Sequence, residues 1–204
     1  MRSLYTGLTP PDSKVIHCPF IQIVPRPAYD PDVIQMFQML SEITHIVFTS
    51  KTAVRIFFDY LPHDCDLSST TLFAVGSVTK SHLESYGMKN VLVPQEETAE
   101  GLVELIKSTN LDSAKFLWPH SARSRRVISD YFQQQQILYI EYILYDTVIK
   151  KPNPLPNLDE FDEIIFTSPS TVEGFVQSYG ALPPDKLLTP IGPVTANVLN
   201  AKKK

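Results

Sequence analysis

Glycine is scarce in this chain. The seven glycines, Gly7, Gly76, Gly87, Gly101, Gly174, Gly180 and Gly192, never come within five positions of one another. A GxGxxG dinucleotide fingerprint and a GxxxxGK[ST] phosphate loop are thereby excluded. GxSxG and HExxH are missing too, and the five histidines at 17, 45, 63, 82 and 120 show no metal-ligand spacing. His63-Asp64-Cys65 is the nearest thing to a ligand cluster, but consecutive residues seldom converge on one ion, so no metal is expected. The two cysteines, Cys18 and Cys65, lie far apart without a CxxC pair and read as packing residues rather than a zinc or disulfide framework.

Long apolar runs are lacking as well, and Met1-Arg2-Ser3-Leu4-Tyr5 leads into no segment of signal-peptide length. The expectation is a cytoplasmic protein without membrane span or secretory signal. Positive charge is also short: 18 Lys+Arg stand against 22 Asp+Glu, a net charge of −4. Nucleic-acid binding by counterion release needs a clustered basic face, and the one cationic run, Lys202-Lys203-Lys204, reads as a frayed tail. With 204 residues and 43% hydrophobic composition, the chain can bury the core of one large or two small α/β domains.

What the chain does contain is a repeat. His45-Ile46-Val47-Phe48-Thr49-Ser50-Lys51-Thr52-Ala53-Val54 is echoed by Glu163-Ile164-Ile165-Phe166-Thr167-Ser168-Pro169-Ser170-Thr171-Val172. Ala74-Val75-Gly76-Ser77-Val78-Thr79-Lys80 returns, in the same order and at nearly the same offset, as Pro190-Ile191-Gly192-Pro193-Val194-Thr195-Ala196. A run such as Ile164-Ile165-Phe166 is apolar on both faces, as a buried parallel strand must be, and Thr-Ser after it signals a helix cap. Each unit therefore reads as strand, tight turn, helix N-terminus.

Further strands are expected at Asn90–Pro94, from Lys115, and over Ile137–Val148, with helices at Thr79–Tyr86, Thr98–Ile106 and Ser124–Phe132. Strands alternating with short helices, twice over, predict an α/β fold of two similar doubly wound parallel-sheet domains. The 17 prolines punctuate it, with dense segments at Val24–Pro31 and Lys150–Pro156. One complete α/β unit lies between them, and the second repeat is cut short. The strands near Leu4-Tyr5-Thr6 and Ile21-Gln22-Ile23 are therefore expected to complete the second sheet. The boundaries that follow are 1–23 plus 157–204 for one domain, 33–146 for the other, and paired linkers at 24–32 and 147–156. Doubly wound sheets bind ligands at the carboxyl ends of their strands, so a cleft between the two domains is the expected site.

The residues placed there are Thr49, Ser50, Ser77, Thr79, Thr167, Ser168, Ser170, Val194 and Thr195. They sit where helices begin, with unpaired backbone N–H groups and the positive end of the helix dipole, which suits a ligand carrying several carboxylates or phosphates.

These same motifs, together with Pro94–Leu102 and Tyr145-Asp146-Thr147, resemble the uroporphyrinogen-III synthase family from about residue 41 to the end. The resemblance implies a cofactor-free, metal-free enzyme of tetrapyrrole biosynthesis that acts on hydroxymethylbilane, a substrate with eight carboxylates. It implies loss of the substrate's hydroxyl, attack of the azafulvene at the substituted carbon of ring D, and a spiro-pyrrolenine that rearranges so that ring D is inverted. It also implies that Tyr145 assists departure of the hydroxyl as a general acid and that Arg125 grips a carboxylate. The chain is expected to act as a monomer, with hydroxymethylbilane synthase as a candidate partner. It departs from the family pattern at Trp118-Pro119-His120-Ser121, where a glycine-bearing turn is usual, and in the short segment between Leu8 and Lys14. The competing reading is a two-lobed binding or sensor protein that closes on a polyanion without turning it over.

Overall fold

The computed structural model describes residues 1–11 and 13–202, so Lys203 and Lys204 of the cationic tail lie outside the described residues. In chain order the elements are β1 (Ser3–Tyr5), β2 (Ile16–His17), β3 (Ile21–Pro25), α1 (Pro31–Gln38), β4 (His45–Phe48), α2 (Lys51–Tyr60), β5 (Thr71–Ala74), α3 (Ser77–Ser85) and β6 (Val91–Leu92). They continue with α4 (Ala99–Lys107), β7 (Lys115–Ser121), α5 (Val127–Gln134), β8 (Leu138–Ile149), β9 (Glu163–Phe166), α6 (Pro169–Tyr179), β10 (Leu187–Pro190) and α7 (Pro193–Lys202). The chain divides into two compact units, Met1–Val24 with Thr147–Lys204, and Pro25–Asp146.

The larger unit supplies β8-β7-β4-β5-β6, in that order, to a six-stranded sheet whose remaining edge strand is β3. From β8 to β6 every neighbouring pair is parallel. Its central strands are apolar on both faces because helices cover both: Ile46, Val47, Phe48, Leu72, Phe73, Phe116 and Leu117 are all buried. Helix α4 presents Leu102, Val103 and Ile106 to the core at helical spacing and keeps Glu104 and Lys107 paired outside, 2.7 Å apart. The smaller unit has the parallel order β10-β9-β1-β2. Its core gathers Leu4, Phe20, Ile164, Phe166, Val172, Phe175 and Leu199.

The repeat is structural as well as sequential. In the larger unit the Val75 N–H donates to Phe48 C=O at 2.9 Å, and in the smaller the Ile191 N–H donates to Phe166 C=O at 2.7 Å. Each bond ties the residue before the Gly of the second motif to the last strand residue of the first.

The strand at 21–23 departs from expectation. β1 does join β9, but β3 lies beside β8 in the six-stranded sheet, where Arg26 N–H donates to Leu144 C=O and Lys150 N–H donates to Phe20 C=O. The two strands run in opposite senses. β8, with 12 residues against 7 in β7, runs on past its inner neighbour, and β3 supplies hydrogen-bond partners along its other edge. The segments expected as linkers consequently contain the end of β3, the start of α1 and the end of β8. Helix α5 also begins three residues late, at Val127, because Ser121 to Ser124 closes a turn with the Ser124 N–H on the Ser121 carbonyl.

Candidate active site

In the larger unit, four segments end at the carboxyl edge of the sheet: Thr49-Ser50 after β4, Gly76-Ser77 after β5, Ser121 at the end of β7, and Tyr145 near the end of β8. Ser50 is extended and caps α2, its Oγ accepting from the Ala53 N–H at 3.0 Å. The same Oγ lies 2.9 Å from the Tyr145 hydroxyl. Tyr145 is buried and stands opposite Ser121 across a bulge between His120 and Ser121, so one extra residue re-aims the ring toward α2. Burial raises its phenol above the ordinary value, while hydrogen bonds to Ser50, Ser121 and Thr52 draw it back part of the way. The group is a neutral phenol at physiological pH. With one lone pair of Ser50 Oγ committed to Ala53, Ser50 can donate its proton to the Tyr145 oxygen, which leaves the phenolic proton for a third partner.

Three neighbours of this hydroxyl cluster carry information that sequence reasoning missed. Trp118 Nε1–H donates to Thr49 Oγ1 at 3.4 Å, which fixes the threonine after β4. His120 stacks on Trp118 with ring centroids 4.1 Å apart and holds the Ser121 carbonyl from Nδ1 at 2.8 Å. That contact makes Nδ1 the protonated nitrogen, and leaves Nε2 as a buried acceptor without a hydrogen bond, 3.9 Å from a Glu141 carboxylate oxygen. Burial lowers the His120 pKa; the Ser121 carbonyl and Glu141 pull the other way.

The third is Glu97. Its Oε1 accepts the Ser77 N–H at 2.9 Å, and backbone and side-chain hydrogen bonds from Ser77 hold the carboxyl below its ordinary value. The start of α3 is thus satisfied from within the chain, and Gly76 allows it because a Cβ there would overlap the Glu97 carboxylate. Thr79, two positions on, is buried. Arg125 is exposed and paired at two points with Glu100, at 2.6 and 2.9 Å. This fork is the geometry with which arginine would hold a substrate carboxylate, here filled by α4.

In the smaller unit, Thr167 and Ser168 follow β9 and Gly192 follows β10. Ser168 caps α6, accepting from Thr171 N–H at 3.4 Å, and the fully buried Thr171 closes a capping box. Its Oγ1 accepts from the Thr167 and Ser168 amides, each at 3.2 Å, and donates to the Ser168 carbonyl at 2.8 Å. Ser170 sits half-buried in the first turn, Val194 is exposed and Thr195 is buried. Thr6 and Gly7 follow β1 beside this cluster: Thr6 Oγ1 donates to Ile165 C=O at 2.8 Å, and a Cβ on Gly7 would overlap Thr167.

Among the described residues no three His, Cys, Asp or Glu side chains are placed to hold a metal ion, and no helix is long and apolar enough to cross a membrane. What the geometry offers is hydroxyl groups and helix starts at strand carboxyl ends, with the proton-bearing phenol of Tyr145 hydrogen-bonded among those of the larger unit.

Comparison with known proteins converges on one group. Residues 12–203 match the family described as Uroporphyrinogen-III synthase HemD. The chain is 29% identical over 184 residues to the "Porphyrin biosynthesis protein HemD" of Ruminiclostridium josui, covering 86% of this chain and 36% of that protein. It is 25% identical over 173 residues to the "Uroporphyrinogen-III synthase" of Chlorobaculum parvum, covering 78% and 70%. Among solved structures, the uroporphyrinogen-III synthetase of Helicobacter pylori superimposes with TM-score 0.69 at 16% identity, over 100% of this chain and 90% of that one. A mutant uroporphyrinogen III synthase of Thermus thermophilus gives TM-score 0.68 at 15% identity, covering 99% and 89%.

Proposed function

The chain belongs to the uroporphyrinogen-III synthase family, and from that premise we propose that it cyclises hydroxymethylbilane to uroporphyrinogen III with inversion of ring D. The observation that carries the reading is the Tyr145 hydroxyl, buried, neutral and 2.9 Å from Ser50. A hydroxyl leaving an alkyl carbon needs a proton or a strong hydrogen bond as charge builds on its oxygen, and a phenol is able to donate one at neutral pH. Ser50 keeps its proton and donates a hydrogen bond to the Tyr145 oxygen, which steadies the phenolate left when the phenolic proton goes to the departing hydroxyl and that group leaves as water.

The bilane is expected to close unaided to the non-inverted isomer, so most of the catalytic work is conformational. The protein must hold the chain of pyrroles in the one arrangement that brings the substituted carbon of ring D to the azafulvene carbon. The eight carboxylates provide the handles. The residues proposed to take them stand at strand ends in each unit, Thr49, Ser50 and Thr79 in the larger and Thr167, Ser168, Ser170, Val194 and Thr195 in the smaller, with helix N–H groups and, except at the buried Thr79 and Thr195, hydroxyls. Ser77 and Arg125 are engaged by Glu97 and Glu100, so for them to serve the substrate its carboxylates must exchange with those side chains. The reaction as read uses no cofactor and no metal, runs on a cytoplasmic monomer, and takes its bilane from hydroxymethylbilane synthase.

The test is product analysis. Fresh hydroxymethylbilane incubated with purified protein, followed by separation of isomers, should give isomer III in excess over a protein-free control. Isomer I alone, from folded protein, would leave the binding-protein reading in its place.

A further inference from the structure

The ladder between β7 and β8 is interrupted by one extra residue on β8, Leu144, between the pairs His120–Ile143 and Ser121–Tyr145. Past the interruption a single pair remains, so the direction of Tyr145 depends on how firmly Ser121 is held. Every residue involved belongs to the larger unit.

Ser121 is held at three points. Its carbonyl accepts from His120 Nδ1–H at 2.8 Å and from the Ser124 N–H at 2.9 Å, and its Oγ accepts from the Arg123 N–H at 3.2 Å. Both lone pairs of the carbonyl are thereby used. Ser121 and its neighbour in turn meet Tyr145 at both ends: the Ala122 N–H donates to Tyr145 C=O at 3.0 Å, and the Ser121 side chain is one of those that hydrogen-bond the phenol.

Among these restraints His120 is the one that stability does not explain. The imidazole is 9% exposed and stacked on Trp118, yet its Nε2 is buried without a hydrogen bond, and the Glu141 carboxylate at 3.9 Å lies beyond hydrogen-bond reach. A phenylalanine would keep the stack and bury no unpaired nitrogen, so packing alone favours the phenyl ring. What the imidazole adds is the Nδ1–H on Ser121.

We infer that His120 is a positioning residue for the reaction: its Nδ1–H fixes the Ser121 carbonyl, and Ser121 fixes the direction in which the Tyr145 hydroxyl points. The inference rests on the function proposed above, in which Tyr145 is the acid, and adds the side chain that aims it. With Nε2 buried, His120 acts through Ser121 and not on the substrate.

The experiment compares His120→Phe, which keeps a ring on Trp118 and removes the donor, with His120→Asn, whose side-chain amide puts a donor where Nδ1 stands. Each is made alone and in the Tyr145→Phe background. The readouts are kcat and KM with hydroxymethylbilane, Tm, and the NMR signal of the carbon bearing the Tyr145 hydroxyl in protein with isotopically labelled tyrosine, assigned by its loss in Tyr145→Phe. A misplaced group costs up to about a hundredfold, and losing one restraint of several in His120→Phe should lower kcat about tenfold. KM and Tm should stay near wild type, and the Tyr145 signal should move. His120→Asn should bring both kcat and the signal back toward wild type. In the Tyr145→Phe background neither substitution should lower kcat further. Ser121→Ala is a second route, expected to lower kcat and move the signal in the same sense.

A Tyr145 signal that stays in place in His120→Phe and Ser121→Ala overturns the inference, whatever the kinetics. So does a loss of kcat that persists undiminished in the Tyr145→Phe background, or one that comes with an equal fall in Tm and no rescue by asparagine, since His120 would then be structural. If Tyr145→Phe itself runs at wild-type kcat while the signal moves in His120→Phe and returns in His120→Asn, the positioning stands and the acid role of Tyr145 falls.

Discussion

The hydroxyls of Tyr145 and Ser50 lie 2.9 Å apart, and the serine oxygen at the same moment caps helix α2 through the Ala53 amide. One oxygen thus joins the phenol on β8 to the helix start after β4. Tyr145→Phe keeps the ring and removes the proton. Isomer III formation should slow about a hundredfold or more, the usual worth of general acid assistance. Stability should change by roughly 1 kcal/mol, one ordinary hydrogen bond. Wild-type kcat in this variant would reduce Tyr145 to a packing residue.

Much of this is legible in the sequence itself. Phe48-Thr49-Ser50 and Phe166-Thr167-Ser168 declare strand, turn and cap locally, since a short hydroxyl side chain after a β-rich run bonds amides two or three residues on. Gly87 likewise announces the end of α3 and takes a φ of 86°, which a side chain rarely tolerates. What stayed hidden is what bonds across long stretches of chain. Glu97 reaches Ser77 from a loop twenty positions away, and Glu100 reaches Arg125 only because α4 packs beside the turn before α5. His120 looked like a departure from a glycine turn, and its role against Trp118 and Glu141 depends on the pairing of β7 with β8. The edge pairing of β3 with β8 is hidden for the same reason: a strand's own residues show that it is extended, not which neighbour it pairs with.

Thr171 tests the capping box of α6. Its hydroxyl serves two amides and one carbonyl while fully buried. Thr171→Val should leave those amides without an acceptor and cost about 1–3 kcal/mol, measured by urea unfolding, whereas Thr171→Ser should retain most of the stability. A valine variant as stable as wild type would mean that the box contributes nothing.

Glu97 gives an acid-side signature. Its carboxyl is held below its ordinary value by Ser77, so the folded state binds fewer protons than the unfolded state as the group titrates. The stabilisation is present above the unfolded pKa of about 4.3 and is lost as pH falls through the folded value. Glu97→Gln should lower Tm at pH 7, and the gap from wild type should close in acid. A gap that persists unchanged at low pH would assign the effect to packing instead of charge.

His120 acts at higher pH with the same sign. Burial lowers its folded pKa, so the unfolded chain takes up a proton that the folded protein refuses. Stability should be full above the unfolded value of about 6.5 and decline as pH drops below it, with His45, also lowered by burial, contributing in the same direction. Unfolding free energies measured between pH 7.5 and 5.5 should show a shallower decline in His120→Phe, which keeps a ring against Trp118. An unchanged slope would contradict a buried, neutral His120.

The central claim is that this protein directs ring D inversion. The fraction of isomer III is to be measured at a fixed concentration of fresh hydroxymethylbilane while purified protein is raised from none to excess. The prediction is a fraction that climbs with protein toward isomer III as nearly the whole product, outrunning spontaneous closure. A fraction that stays at the protein-free value across the titration, with the protein folded throughout, would contradict the account.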